Sequence, residues 1–237
     1  VLEIGSGSGA HSALLKSKGA RMLSCDISLD RCKSTNLKLE LIKNDNESLV
    51  INCSAEKLPI KDNSVDFVYS NGVLHHAENT NNCINEVFRV LKKNGVAVIM
   101  LYCRQSAEYY CNVLPKAIIK GSFFKFKKEE NWVGEVTEGK TKFSNVKNPV
   151  TRVYNRDEIL KLFENFNILS LDKTFFSFKD FAIPKLTQIR EVVFQIFGKK
   201  AHKGGEIVYG KPVVPLLSIE KKLGKYAGFF WYINGKK

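Results

Sequence analysis

The first nine residues constrain this chain more than any other part of it. Residues 1–4, Val1-Leu2-Glu3-Ile4, form an apolar run that leads directly into Gly5-Ser6-Gly7-Ser8-Gly9, after which Ala10, Ala13, Leu14 and Leu15 open a helix. A strand that turns through three alternating glycines into a helix lets the backbone approach a ligand closely and aims unsatisfied helix amides at it. Dinucleotide-binding folds use a similar turn, so the glycines alone leave the ligand open. Glu3 narrows the choice. Two residues before the first glycine, its carboxylate disfavours a pyrophosphate and favours a ligand that carries positive charge.

The rest of the chain sets the fold class. Short apolar runs at residues 1–4, 21–25, 49–52, 65–69 and 96–101 alternate with helix-period segments, the pattern of a parallel sheet with crossover helices. Ile84, Val87, Phe88 and Leu91 share one face of a helix predicted to end near Asn94-Gly95. From Arg104 to Val150 the rhythm breaks into a basic, aromatic stretch containing Phe123-Phe124-Lys125-Phe126-Lys127-Lys128, read as an insertion or lid. Asn155 then caps a predicted helix carrying Ile159, Leu160, Leu162 and Phe163, and a strand follows over 166–171. Leu186, Ile189, Val193 and Ile196 predict a further amphipathic helix, and Gly228-Phe229-Phe230-Trp231-Tyr232-Ile233 a last strand. The expected organisation is a ligand-binding core over 1–103, the insertion over 104–150, and a C-terminal part over 151–237 that completes the sheet.

Composition bounds the partners. With 237 residues, 44% of them hydrophobic, the chain can bury a full core, and no window supplies the roughly 18 uninterrupted apolar residues of a membrane span. Cys25, Cys32, Cys53, Cys83, Cys103 and Cys111 form no CxxC pair and interleave with no histidine ligands. They are read as reduced thiols of a cytoplasmic protein, with no metal site expected. The formal net charge of +13 suits a polyanion, yet lysines spread along the whole chain supply most of it. A solvated basic surface is the preferred reading, a nucleic-acid partner is not expected, and peripheral contact with a membrane is kept as an alternative. The chain opens at Val1, already inside a strand pattern, so a preceding segment is expected and no targeting signal is read.

Further residues carry a resemblance. Asp26 ends the second predicted strand, where a carboxylate can accept hydrogen bonds from both hydroxyls of a ribose, or cap the helix that starts near Ser28. After the third strand comes Ser54-Ala55-Glu56-Lys57-Leu58-Pro59, and the fourth runs through Asp66 and Phe67 to Ser70-Asn71 and then His75-His76. In this order, from Val1 to Tyr102, the motifs resemble those of the class I S-adenosylmethionine-dependent methyltransferases, most of all the branch that includes the quinone-biosynthesis enzymes. The resemblance implies a Rossmann-like α/β sheet, mostly parallel with an antiparallel last strand, carrying a lid-like insertion and extra C-terminal helices. It also implies S-adenosylmethionine as cofactor. Glu3 and the glycines Gly5, Gly7 and Gly9 would meet its charged end, Asp26 its ribose, Ser54 and Ala55 its adenine, and Ser70 and Asn71 its methionine part. Ser54 departs from the family's usual acid or amide and offers the adenine amine one weaker hydrogen bond.

The implied reaction is methyl transfer to a small-molecule acceptor, lipid-linked or sugar-like. His76 and Tyr102 are the candidate bases, with His75 ranked below them. Tyr154 and Arg152 are candidate wall residues of the acceptor cleft. Glu86 and Arg89, at i and i+3, are read as a structural ion pair, and Asp66 as a strand-start residue. Three rival readings remain open: an RNA methyltransferase, although Asn148-Pro149 falls outside the position after the fourth strand; a non-catalytic cofactor-binding module; and a nicotinamide oxidoreductase, against which Glu3 argues.

Overall fold

The computed structural model describes residues 1–43, 46–137, 150–177, 207–208, 211–212, 216 and 218–237. The predicted helix around Leu186–Ile196, and Asn148-Pro149, lie outside these residues.

One sheet organises the molecule. Its strands β1 (Leu2–Ile4), β2 (Met22–Asp26), β3 (Ser48–Asn52), β4 (Val65–Asn71), β5 (Leu91–Cys103), β7 (Asn167–Thr174) and β10 (Phe230–Lys236) lie in the order β3-β2-β1-β4-β5-β10-β7, and the short β6 (Val153–Tyr154) pairs with the end of β5. Strands β1 to β5 run parallel, whereas β10 is antiparallel to both β5 and β7. This is the expected Rossmann-like sheet with its antiparallel last strand. The remaining β8 (Ile207–Val208) and β9 (Lys211–Pro212) form a separate two-stranded ladder.

Crossover helices α1 (Ala10–Ser17), α2 (Leu29–Glu40) and α3 (Thr80–Val90) connect the parallel strands. In α3 the buried Cys83, Ile84, Val87 and Val90 repeat at helical spacing and pack on Leu2, Ile4, Val68, Ile99 and Leu101 of the central strands. Each such fully buried aliphatic side chain contributes about 1.5–3 kcal/mol. The sequence places the end of this helix near Asn94-Gly95, but α3 stops at Val90, and Leu91 already pairs with Val65 as the first residue of β5. Two features end it early. Leu91 is fully buried and paired within the sheet, and Asn94 adopts a φ of 67° while its N–H donates to the carbonyl of Lys237.

The expected insertion is helical over its described part. A π-helical turn (Tyr109–Val113) leads into α4 (Leu114–Ile119), α5 (Ser122–Lys125) and α6 (Glu129–Thr137). Tyr109, Val113, Ala117, Trp132 and Val133 form a second, smaller core with Val153 and Phe229 at the carboxyl end of β5. Arg104 anchors it by donating to both oxygens of Glu129 and both of Glu158, the latter on α7 (Arg156–Leu162). Asn155 caps α7 through a reciprocal pair: its side chain accepts from Glu158 N–H at 2.9 Å, and its own N–H donates to the Glu158 carboxylate at 2.7 Å. The last helix, α8 (Ser218–Ala227), precedes β10 and packs on β7.

Candidate functional site

The carboxyl ends of β1, β2, β4 and β5 converge on one edge of the sheet, the place where open α/β sheets bind ligands. There the loop after β1 is fixed by Gly5 and Ser6, whose N–H groups both donate to the Cys25 carbonyl, at 2.7 and 2.9 Å. Gly9 packs so tightly on α2 that a Cβ would lie 2.7 Å from the Thr35 Cα. Gly7 is different. Its φ is +55°, and a Cβ there would meet nothing within 4 Å. One glycine therefore seats the loop on the protein while the other presents bare backbone to open space.

Asp26 joins the loop to the second strand. Its carboxylate accepts from Gly7 N–H at 2.8 Å and from Ser28 N–H at 2.9 Å. The helix-capping role and the ligand-facing role are compatible, because each carboxylate oxygen has two acceptor positions and uses one here. The sequence did not mark Ile27, which follows Asp26 and is 78% exposed. Asn52 holds this stretch by donating to the carbonyls of Asp26 and Ile27, both at 2.9 Å. Ser54 turns its hydroxyl inward to accept from Glu56 N–H at 3.2 Å, and Ala55 packs on the core.

Glu3 is almost fully buried, beneath the loop rather than open to it. Its carboxylate accepts from the Ser12 hydroxyl, lies 3.5 Å from His11 Nδ1, and through Ser12 reaches Ser24 at 2.7 Å. Its negative charge therefore acts on the loop from below, held there by the first turn of α1. His11, half exposed, sits edge-on to Tyr69 at 5.2 Å and joins this group, although no sequence pattern singled it out. At the end of β4 the Ser70 hydroxyl donates to the Ile4 carbonyl at 3.0 Å, and Asn71 accepts from the Tyr232 hydroxyl at 3.1 Å. Both side chains thus brace the neighbouring strands.

Beyond β4 the two histidines separate in role. His75 is fully buried, with both ring nitrogens unbonded among the described residues, and is sandwiched between His76 at 4.1 Å and Tyr102 at 3.9 Å. Burial, and then the neighbouring His76, hold its pKa well below the usual histidine value, so the ring is neutral. His76 is half-buried, and its Nδ1 lies 3.2 Å from the Val150 carbonyl and 3.1 Å from the Thr151 hydroxyl. A proton donated from Nδ1 to that carbonyl makes Nε2 the basic nitrogen. Arg152 donates to the carbonyls of Ala77 and Glu78 and fastens the segment before β6 to this turn. Tyr154 packs into the main core, where burial raises its phenol pKa.

Tyr102 continues the ring stack outward, to Phe229 at 4.5 Å and to Phe230 at 5.7 Å, and Phe230 in turn stacks on Phe175 at 4.6 Å. These four rings line an open cavity of about 400 Å³, bordered on the helical side by Glu108, Asn112 and Lys116. Phe175 holds a φ of +63°, a conformation that costs a bulky side chain roughly 1 kcal/mol or more. A larger depression, about 500 Å³ between α2 and β3, touches none of the glycine loop. Among the described residues no cluster of three His, Cys, Asp or Glu is arranged to hold a metal ion.

Residues 2–99 match the family model described as a methyltransferase domain. An uncharacterised protein of Methanocaldococcus jannaschii is 31% identical over 157 residues, which cover 62% of this chain and 56% of that protein. The match thus spans little more than half of that relative's length. Among solved structures, an S-adenosylmethionine-dependent methyltransferase from Methanosarcina mazei aligns with all of this chain and 91% of its own, at a TM-score of 0.62 and 17% identity. The geranyl diphosphate C-methyltransferase of Streptomyces coelicolor, solved with Mg2+, geranyl diphosphate and S-adenosylhomocysteine, aligns with 99% of this chain and 69% of its own, at a TM-score of 0.55 and 14% identity. Residues 2–99 are therefore similar to a methyltransferase domain, and the chain shares the Rossmann-like fold of these solved methyltransferases.

Proposed function

We propose that the chain transfers a methyl group from S-adenosylmethionine to a small-molecule acceptor held in the aromatic cavity against Tyr102. The observation that carries this reading is the juxtaposition, on one edge of the sheet, of the open backbone cradle at Gly7 and a cavity whose volume of about 400 Å³ suits a small molecule. The residues present fit the cofactor. Gly7 leaves room for it, Asp26 has acceptor positions for a ribose, Ile27 is an apolar flank for a flat base, and Glu3 places a negative charge beneath the loop. The cofactor, when bound, supplies an electrophilic methyl on a positively charged sulfur.

The protein's own work is then alignment and the exclusion of water. The stacked rings of Tyr102, Phe229, Phe230 and Phe175 bind the apolar body of the acceptor and keep water from it. His76 takes the proton of an acceptor hydroxyl or amine at Nε2, oriented by its Nδ1 contact with Val150. Tyr102 lines the cavity, its ring stacked on the neutral His75. Ser54 and Ala55 flank the adenine in this reading, and Ser70 and Asn71, at the end of β4, its methionine part. The aromatic rings of the cavity favour an acceptor with an apolar part, such as a lipid-linked or sugar-like metabolite.

Calorimetry with S-adenosylhomocysteine and with NADH tests the cofactor, and a labelled-methyl assay on acceptor panels tests the cavity. Micromolar binding of S-adenosylhomocysteine without binding of NADH is expected. Phe175→Ala should raise the acceptor KM while leaving S-adenosylhomocysteine affinity unchanged. Equal loss of both would remove the cavity from the acceptor's path.

A further inference from the structure

The helical insertion carries a feature that neither the cradle nor the cavity uses. Its α4 ends on Ile118 and Ile119, 46% and 84% exposed, and after the turn at Gly121 its α5 opens with Phe123 and Phe124, 40% and 76% exposed. Four large apolar side chains within seven consecutive residues thus face solvent. Isolated exposed hydrophobics are ordinary, but a concentration of this kind marks an interaction surface. Their neighbours Ala117 and Ser122 are buried, and Phe123 rests on Trp132 at 5.5 Å, so the turn is seated on the second core rather than loose.

Charge identifies the partner. Residues 117–128 contain four lysines, Lys120, Lys125, Lys127 and Lys128, all exposed, and no Asp or Glu. The acids that follow do not neutralise them, because Glu129 pairs with Arg104 and Glu130 faces Arg152. An apolar tip ringed by lysines matches the boundary of a bilayer, where the apolar groups enter among the acyl chains and the ammonium groups meet lipid phosphates. A protein partner fits less well, since lysine is depleted from protein interfaces. A nucleic acid fits less well too, since the aliphatic Ile118 and Ile119 neither stack on bases nor bond to them. Among the described residues no helix is long and apolar enough to cross a membrane, so the contact is peripheral.

We propose that the α4–α5 turn docks the protein on an anionic membrane surface, inserting Ile118, Ile119, Phe123 and Phe124 at the headgroup boundary. This stands apart from the methyl-transfer reading, because it rests on the outer face of the insertion and holds whatever the acceptor is. The test uses the full chain and sedimentation with vesicles of phosphatidylcholine alone or mixed with phosphatidylglycerol. Binding is expected only to the mixed vesicles. Ile119→Ser combined with Phe124→Ser should weaken it about tenfold, with unchanged far-UV circular dichroism and melting temperature. Lys120→Glu combined with Lys125→Glu should remove the preference for the anionic lipid. Vesicle binding that ignores the Ile119 and Phe124 substitutions would overturn the proposal and leave only adhesion of a cationic protein. So would loss of single-stranded RNA binding, rather than vesicle binding, in that variant, or a dimer in sedimentation velocity that it dissolves.

Discussion

One side chain at the site is asked to do more than one thing. Asp26 anchors Gly7 and starts α2 while remaining an acceptor for a ribose, so its removal acts on the loop and on the ligand together. Asp26→Ala is expected to cost about 1–3 kcal/mol of S-adenosylhomocysteine binding, read by calorimetry, and unchanged affinity would take Asp26 out of the site. Gly7→Val points a branched side chain from a positive φ into the open cradle and should abolish detectable binding; a folded variant that binds normally removes the cradle argument. His75 gives a prediction in pH. Its pKa is depressed in the folded protein, so at low pH the unfolded chain takes up a proton that the folded one refuses. Its contribution to stability is complete above the unfolded value of about 6.5 and is lost as pH falls from there toward the folded value. Urea midpoints should therefore decline from pH 7 to 5, and His75→Phe should flatten the part of that slope owed to this ring.

At the level of elements, legibility followed locality. The turn from β1 through the glycines into α1 could be read because strand, glycines and helix start are contiguous, and the cap of α7 because Asn155 and Glu158 are three residues apart. The end of α3 was misplaced because what stops it is distant: Leu91 is claimed by Val65 across the sheet, and Asn94 is tied to Lys237 at the far end of the chain. The cavity was readable only at Tyr102, since the rings that join it come from the residue after β7 and from the start of β10, and nothing in the sequence announces a phenylalanine at positive φ. The exposed flank at Ile27 was missed because an isoleucine after a strand reads as core. The readable elements also carry measurable weight. Asn155→Ala removes the side-chain half of the capping box and should cost about 1 kcal/mol, a fall of roughly 2–4 °C in Tm for a chain of this size.

For the whole molecule, the arrangement of two cores decides how binding couples to motion. The main core lies beneath β1, β4 and β5, whereas the insertion rests on its own smaller core and on the linkage from Arg104 to Glu129 and Glu158. That linkage joins the end of β5, α6 and α7 at one half-buried guanidinium, and the Tyr109 hydroxyl adds a 2.5 Å hydrogen bond to Glu129. Losing the arginine leaves two carboxylates facing each other without their shared cation, which loosens the insertion without touching the sheet. The insertion supplies Glu108, Asn112 and Lys116 to the cavity, while the cradle is built on β1, β2, α1 and α2. Arg104→Ala should accordingly speed amide exchange throughout 109–137 and leave exchange in β1, β2 and β4 unchanged. The same variant should keep its S-adenosylhomocysteine affinity and lose acceptor turnover through a raised KM. If exchange quickens across the whole sheet instead, the two cores form one cooperative unit, and acceptor binding cannot be adjusted separately from the cofactor cradle.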